Sequence, residues 1–275
     1  MKKIDYAITF ACYNQVEYTK QCIDSMIKHG VDLGRVVVVD NNSSDGTRDY
    51  LDTLPLGGKI YNKTNLGCGV AWNQGALALQ AEWTIVMNND ILVSEHWIEN
   101  LIHAAEKYNV KMISPAMIEG ALDYDFEDFV CESKIKMKGA MRSNVWHAVC
   151  VAIHDSVWQE IGYFQPIPLL LGYEDTLFLH EALEANIPCA FTSDSWIHHY
   201  GSMTQKLMRQ ERGLSPKSDL PNRRLCLKHL RMNWISRKLY KMNKIKREKE
   251  QSKTEVQEYG MSMLGARVNG EFVWR

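Results

Sequence analysis

The feature that most constrains the fold of this chain is a pair of short apolar runs that end abruptly in acids and amides. Residues 36–39 are four valines followed by Asp40, and residues 84–87 read Thr-Ile-Val-Met before Asn-Asn-Asp at 88–90. Apolar, β-branched runs bounded by turn formers are typical of buried parallel strands. In open α/β sheets the ligand lies outside the carboxyl ends of the strands. The two runs therefore predict a crevice that receives both Asp40 and Asp90.

Strand and helix signals alternate through the first part of the chain. The predicted strands are 5–11, 35–40, 59–62 and 83–87, and the predicted helices are 16–29, 46–54, 69–79 and 94–108. This alternation predicts an α/β fold with a parallel sheet and right-handed crossovers. Beyond residue 111 the predicted elements are strands at 112–115 and 189–191, helices at 155–161 and 176–185, and an acidic loop at 119–128.

The composition is that of an ordinary globular protein. The chain has 275 residues, of which 45% are hydrophobic and 24% charged. No run approaches the roughly 18 apolar residues of a membrane span, and an acid at position 5 interrupts any signal-peptide pattern. We therefore expect a cytoplasmic protein, with attachment to the inner face of the membrane as the alternative. Seven cysteines without a CxxC pair argue against a disulfide framework or a zinc site.

Charge is distributed unevenly along the chain. Residues 205–250 hold 15 Lys and Arg against 4 Asp and Glu, although the net charge of the chain is −1. A basic tail predicts an anionic partner, and a solvated helix face is an equal alternative. Leu227, Leu230 and Trp234 stand at helical spacing among the cations. They predict a membrane-surface helix, a helix packed on the rest of the protein, or a nucleic-acid contact.

Seven short motifs follow one another between residues 5 and 205. They are Tyr13-Asn14, the run 40–47, Asn65-Leu66-Gly67 with Asn73, Asn88-Asn89-Asp90, Gly162-Tyr163-Phe164, Glu174-Asp175 and His199-Tyr200-Gly201-Ser202. In this order the chain resembles the family-2 glycosyltransferases of GT-A type, and among them the rhamnosyltransferase-like members.

The resemblance implies a domain organisation and a donor site. It implies a GT-A domain over 1–205, with a Rossmann-like, mostly parallel sheet flanked by helices. Residues 1–110 would bind the nucleotide sugar, residues 111–205 the acceptor, and residues 206–275 would form a basic, mostly helical extension. The residues expected to bind the nucleotide sugar are Tyr13, Asn14, Asp40, Asn42, Asn65, Gly67, Asn73, Asn88 and Asn89. The family uses the acid at Asp40 to contact the nucleobase, while the residues alone equally allow an Asx-turn acid.

The resemblance also implies a metal site. Asn88-Asn89-Asp90 stands where the family has its DxD motif, with Asn88 in place of the first acid. Asp90 with neighbouring amides still suits Mg²⁺ or Mn²⁺. His199 matches the late histidine of the family, which completes metal or phosphate binding. His198 is an alternative, because adjacent residues on an extended segment point to opposite sides.

Two further groups are candidates for the reaction and for acceptor binding. The resemblance makes Asp175 the general base that takes the proton of the acceptor hydroxyl, and Glu174 the residue that orients the acceptor or the helix. Without the resemblance, both acids are explained by the dipole of the helix that follows. Trp146, His147 and Trp158 form either an aromatic wall for a sugar or part of the core.

The expected function is therefore inverting, metal-assisted glycosyl transfer. The donor would be a UDP- or dTDP-linked sugar, with dTDP-rhamnose favoured by the resemblance, and the acceptor a polysaccharide or lipid-linked glycan. A sugar-phosphate nucleotidyltransferase would need an N-terminal glycine-rich loop, and residues 10–15 contain no glycine. A glycosyltransferase acting on modified DNA bases and a catalytically degenerate sugar- or nucleotide-binding protein stay as alternatives.

Overall fold

The computed structural model describes residues 4–167, 172–215, 218, 220–231 and 233–275. The strands are β1 (Tyr6–Cys12), β2 (Val36–Asp40), β3 (Gly58–Tyr61), β4 (Trp83–Asn88), β5 (Ile91–Val93), β6 (Met112–Gly120), β7 (Met141–Ser143), β8 (Cys150–His154), β9 (Cys189–His199), β10 (Leu264–Val268) and β11 (Glu271–Trp274). The helices are α1 (Val16–Lys28), α2 (Thr47–Asp52), α3 (Cys68–Ala78), α4 (Trp97–Tyr108), α5 (Phe126–Lys136), α6 (Asp155–Ile161), α7 (Glu174–Glu184), α8 (Met203–Glu211), α9 (Leu220–His229) and α10 (Trp234–Tyr259).

The described strands form one mixed sheet in the order β11-β10-β6-β8-β4-β1-β2-β3, and β9 pairs with β5, β6 and β7. β4, β1, β2 and β3 are parallel neighbours, so the predicted α/β class and parallel crossovers are confirmed. β8 runs antiparallel between β4 and β6. The sheet is therefore parallel on the side that the alternating pattern predicted, and mixed beyond it.

Helices cover both faces of this sheet. Ile85 and Met87 of β4 belong to one buried cluster, and Val86 between them belongs to a second cluster. Because successive side chains of a strand point to opposite faces, the two clusters lie on opposite sides of the sheet. α3 lies very close to β1, since a Cβ added at Gly75 would stand 1.7 Å from the Thr9 Oγ1 atom.

Two predicted segments differ from the structure. The loop expected at 119–128 is shorter, because β6 continues to Gly120 and α5 begins at Phe126, capped by Asp125. The strand expected at 189–191 extends to His199, because it pairs with β6, β5 and β7 in turn.

The C-terminal region contributes strands as well as helices. β10 pairs parallel with β6, and β11 pairs with β10. The predicted division at residue 205 falls inside α8, and the division itself stays a prediction. Among the described residues, no helix combines the length and apolar character needed to traverse a bilayer.

The prediction of a single amphipathic helix that carries Leu227, Leu230 and Trp234 is wrong. α9 ends at His229 and α10 begins at Trp234, with Arg231 in the left-handed region at φ 49° between them. Leu230 packs beside a small buried cluster that includes Cys226. The side chain of Trp234 lies outside the described part of the structure.

Candidate active site

A cavity of about 420 Å³ opens at the carboxyl ends of β1, β2 and β4. These ends meet because Cys12 is in register with Asp40, and Ala11 with Asn88. The predicted site residues that line the cavity are Tyr13, Asn65, Gly67, Asn88, Asn89, Asp90, Glu174 and Asp175. Those that do not line it are Asn14, Asp40, Asn42, Asn73 and His199.

Asp90 and His199 are brought together by strand pairing. β5 begins directly after Asp90 and pairs antiparallel with β9, so that Ile91 is opposite His199. His199 Nε2 consequently lies 3.3 Å from Asp90 Oδ1, with both side chains buried. His198 points elsewhere, since its Nδ1 lies 2.9 Å from the Tyr124 hydroxyl. Of the two histidines, the structure places His199 beside Asp90.

The environment of Asp90 favours its charged form. Burial raises the pKa of this carboxyl, but the His199 hydrogen bond and charge and the Met203 backbone N–H outweigh it, so the net pKa is below the usual value. The Met203 N–H donates to Asp90 Oδ2 at 2.8 Å. Asp90 is therefore a carboxylate at neutral pH.

This pair suits a divalent cation. His199 Nε2 faces both the Ser202 N–H, at 3.2 Å, and the carboxylate of Asp90. A carboxylate oxygen and an imidazole nitrogen 3.3 Å apart can both bind one divalent cation. Among the described residues no group of three or more His, Cys, Asp or Glu converges. A cation held by Asp90 and His199 would take further ligands from water and a bound diphosphate, as Mg²⁺ commonly does.

Glu174 and Asp175 face the same cavity from the first turn of α7. Glu174 is buried against α3, since a Cβ added at Gly69 would stand 2.9 Å from Glu174 Cγ. Burial raises the pKa of Glu174, and the charge of Asp175 adds to the shift. Asp175 is more open, and its Oδ1 accepts from the Thr176 N–H at 2.8 Å. Glu174 is thus built into the wall, while Asp175 is accessible from the cavity.

Asp40 is held by contacts with the turn that follows β2. It is fully buried, and its Oδ2 accepts from Arg48 Nε at 2.6 Å. Both carboxylate oxygens lie 3.2 Å from the Ser43 backbone N–H. The carboxylate therefore anchors the turn after β2, and its expected contact with a nucleobase stays a prediction.

Asn41, which sequence analysis did not include in the site, lines the cavity and fixes the loop before α3. Its Nδ2 donates to the Gly67 carbonyl at 3.2 Å, and its Oδ1 accepts from Asn62 Nδ2 at 2.9 Å. Asn65 Oδ1 accepts from the Gly67 N–H at 3.0 Å. Gly67 has φ 87°, a conformation that glycine adopts without strain. The loop is therefore shaped by amide side chains.

Asn73 has a structural contact rather than a place in the cavity wall. Its Nδ2 donates to the Phe164 carbonyl at 2.7 Å, and its Oδ1 accepts from the Phe164 N–H at 3.0 Å. These two bonds fasten the Gly162-Tyr163-Phe164 motif to α3. The motif and Asn73 thus belong to one packing unit behind the cavity.

The predicted aromatic group divides between wall and core. Trp146, which is largely buried, and His147 both line the cavity. Burial lowers the pKa of His147 to about 4, and its Nε2 contacts the Pro115 carbonyl at 2.8 Å, so it is neutral. Trp158 stacks on Tyr163 and packs against Phe178.

Sequence analysis missed the contribution of α8. Thr204, Gln205 and Met208 line the cavity, and Glu211 Oε2 accepts from the Tyr13 hydroxyl at 2.9 Å. These contacts join positions almost two hundred residues apart, and no local pattern signals them. Trp72, on α3, also lines the cavity and was missed.

The mixed sheet, with helices on both faces, defines an α/β protein of GT-A fold. Residues 8–144 match the profile described as Glycosyl transferase family 2, so the chain carries a domain of that family.

Curated relatives that match part of this chain are named glycosyltransferases, and solved structures share its fold. An "Uncharacterized glycosyltransferase" of Rickettsia bellii is 29% identical over 107 residues, which is 38% of this chain and 16% of that protein. The crystal structure of GalNAc-T7 with UDP, GalNAc and Mn²⁺ is similar at TM-score 0.58 and 15% identity, over 72% of this chain and 44% of that one. The mannosyltransferase PcManGT of Pyrobaculum calidifontis, in complex with GDP-Man and Mn²⁺, is similar at TM-score 0.56 and 16% identity, over 77% and 61% of the two chains. The curated relatives are matched over only 16 to 40% of their length.

Proposed function

We propose that this protein is an inverting glycosyltransferase that moves a sugar from a nucleotide-diphosphate donor to a hydroxyl of a polysaccharide or lipid-linked glycan. The observation that carries the proposal is that Asp90, which contacts His199, lines the same cavity as Glu174 and Asp175. A diphosphate and an acceptor hydroxyl would share this cavity during the reaction.

Each side chain has a distinct task in this reaction. Asp90 and His199 would hold Mg²⁺ or Mn²⁺, which neutralises charge on the leaving diphosphate. Asp175 accepts the proton of the acceptor hydroxyl while that oxygen bonds to the anomeric carbon and the carbon–phosphate oxygen bond breaks. Glu174, buried beside it, orients the start of α7. Asn41, Asn65 and Gly67 position the donor through the loop before α3.

The donor is proposed to be UDP- or dTDP-linked, with dTDP-rhamnose favoured by the resemblance to the rhamnosyltransferase-like members. GDP belongs among the nucleotides to be tested, since a structural neighbour was solved with GDP-Man.

The test is release of nucleotide from UDP-glucose, UDP-GlcNAc, dTDP-rhamnose and GDP-mannose, each with Mn²⁺ and either water or glycan acceptors. Release from one donor that is lost in Asp175→Asn supports the proposal. Donor binding without release under any condition would instead indicate a sugar-nucleotide-binding protein.

A further inference from the structure

Each side chain that the structure describes in the first half of α10 is exposed. No described side chain between residues 235 and 247 is buried, whereas Ser252 and Glu255 near the end of the helix are. Glu255 forms an ion pair with Arg142 of β7. The helix is therefore fixed to the protein near its C-terminal end, and the described side chains of its first turns are exposed.

One stripe of this helix is apolar at its start. Ile235, Leu239 and Met242 follow at intervals of four and three residues, which places them on one face. Their exposed fractions are 50%, 53% and 56%. At about 100° per residue this face points away from the buried Ser252 and Glu255. Single exposed apolar residues are common, but three in consecutive turns form a surface.

The same stripe becomes cationic towards its end. Lys246, Lys249 and Lys253 continue the spacing of four and three residues, and all are exposed. Lys246 lies 3.8 Å from Glu250, while within the described structure Lys249 and Lys253 have no ion pair. The surrounding segment, 205–250, carries 15 Lys and Arg against 4 Asp and Glu. The face thus combines apolar side chains with a strong positive charge.

We propose that this face of α10, defined by Ile235, Leu239, Met242, Lys246, Lys249 and Lys253, docks the protein on an anionic lipid surface. Aliphatic side chains on such a helix enter the boundary between headgroups and acyl chains, and lysines contact acidic headgroups. An interface between this face and a second copy of the chain would have to bury the three lysines. Duplex nucleic acid would engage the lysines but leave the three apolar side chains in water.

The test uses the full chain and sedimentation with vesicles of phosphatidylcholine alone or mixed with phosphatidylglycerol. We expect binding to the mixed vesicles only, weakened by salt. Leu239→Ser, and separately Lys246→Glu combined with Lys249→Glu and Lys253→Glu, should each weaken it about tenfold or more. Leu77→Ser is the matched control, because Leu77 lies on α3 and is also 53% exposed. It should bind as the unchanged protein does.

Other outcomes overturn the proposal. Absence of binding to the mixed vesicles, or equal binding by all variants, would remove the lipid surface as the partner. A lipid-free dimer that Leu239→Ser dissociates would make the face an interface between copies. DNA binding that depends on the lysines but not on Leu239, without vesicle binding, would assign the charge to nucleic acid. Circular dichroism melts of each variant establish that it is folded.

Discussion

The guanidinium of Arg142 on β7 forms a two-bond ion pair with the carboxylate of Glu255 on α10, at 2.7 and 2.8 Å. Arg142 also donates to Ser262 Oγ at 2.8 Å, and the side chains of the pair are only 3% and 10% exposed. The pair joins the sheet to the helix and to the segment that leads into β10. It is a buried polar connection between the C-terminal region and the sheet.

Removing one member of this pair should destabilise the fold. Arg142→Met leaves the Glu255 carboxylate buried without its partner, which costs about 3–5 kcal/mol. Arg142→Met combined with Glu255→Met should recover most of this loss. Arg35→Met, which breaks an exposed pair with Asp5, should cost about 1 kcal/mol or less. Urea denaturation followed by circular dichroism measures all three, and equal losses for the buried and exposed pairs would contradict the account.

Replacing the proposed base should reduce turnover without preventing donor binding. Asp175→Asn cannot accept the proton of the acceptor, so kcat should fall by about 10²- to 10⁴-fold while KM for the donor changes little. Glu184→Gln, an exposed change on the same helix, should leave kcat unaltered. The measurement is steady-state nucleotide release with the identified donor and acceptor. Full activity of Asp175→Asn would assign the proton transfer to another group.

Glu174 should make stability depend on pH in a defined direction. Its pKa is raised by burial, so ionisation costs more in the folded than in the unfolded state. Relative to high pH, the protonated side chain of Glu174 therefore adds to the free energy of unfolding. This added stability is fully present below the unfolded pKa of about 4.3 and is lost as pH rises through the folded pKa. Because Gln cannot ionise, the stability of Glu174→Gln relative to the unchanged protein should increase over this window and then level off. Urea denaturation across this pH range tests the prediction, with Glu160→Gln, which removes an exposed carboxyl on α6, as the control.

The parts of the fold that follow from local pattern were predictable from the sequence. β2 and β4 are short, continuous apolar runs bounded by turn formers, and this local pattern indicates buried strands. β10 could not be found in this way, because it is a strand only through its pairing with β6, more than a hundred residues earlier. The second half of β9 was also not predicted, because residues 192–195 are polar and lack a strand pattern. Most of these residues are buried through their contacts with neighbouring strands.

The candidate site was predictable to a similar extent. Asp90 reaches the cavity from the turn after β4, and Glu174 and Asp175 reach it from the start of α7. Asp40 also ends a strand, but its carboxylate forms an ion pair with Arg48. The sequence does not show which side chain a buried acid will pair with. The cavity wall provided by α8 depends on a chain reversal after His199, which no periodicity encodes.

The most direct test of the central claim is calorimetric titration of UDP, dTDP and GDP into the protein, with and without Mn²⁺, alongside Asp90→Ala. Asp90 is a carboxylate beside His199, so one nucleotide should bind with micromolar affinity only when Mn²⁺ is present. Asp90→Ala should abolish that binding. If no nucleotide binds, or if binding ignores both Mn²⁺ and the substitution, the cavity is not the metal-assisted nucleotide-sugar site proposed here.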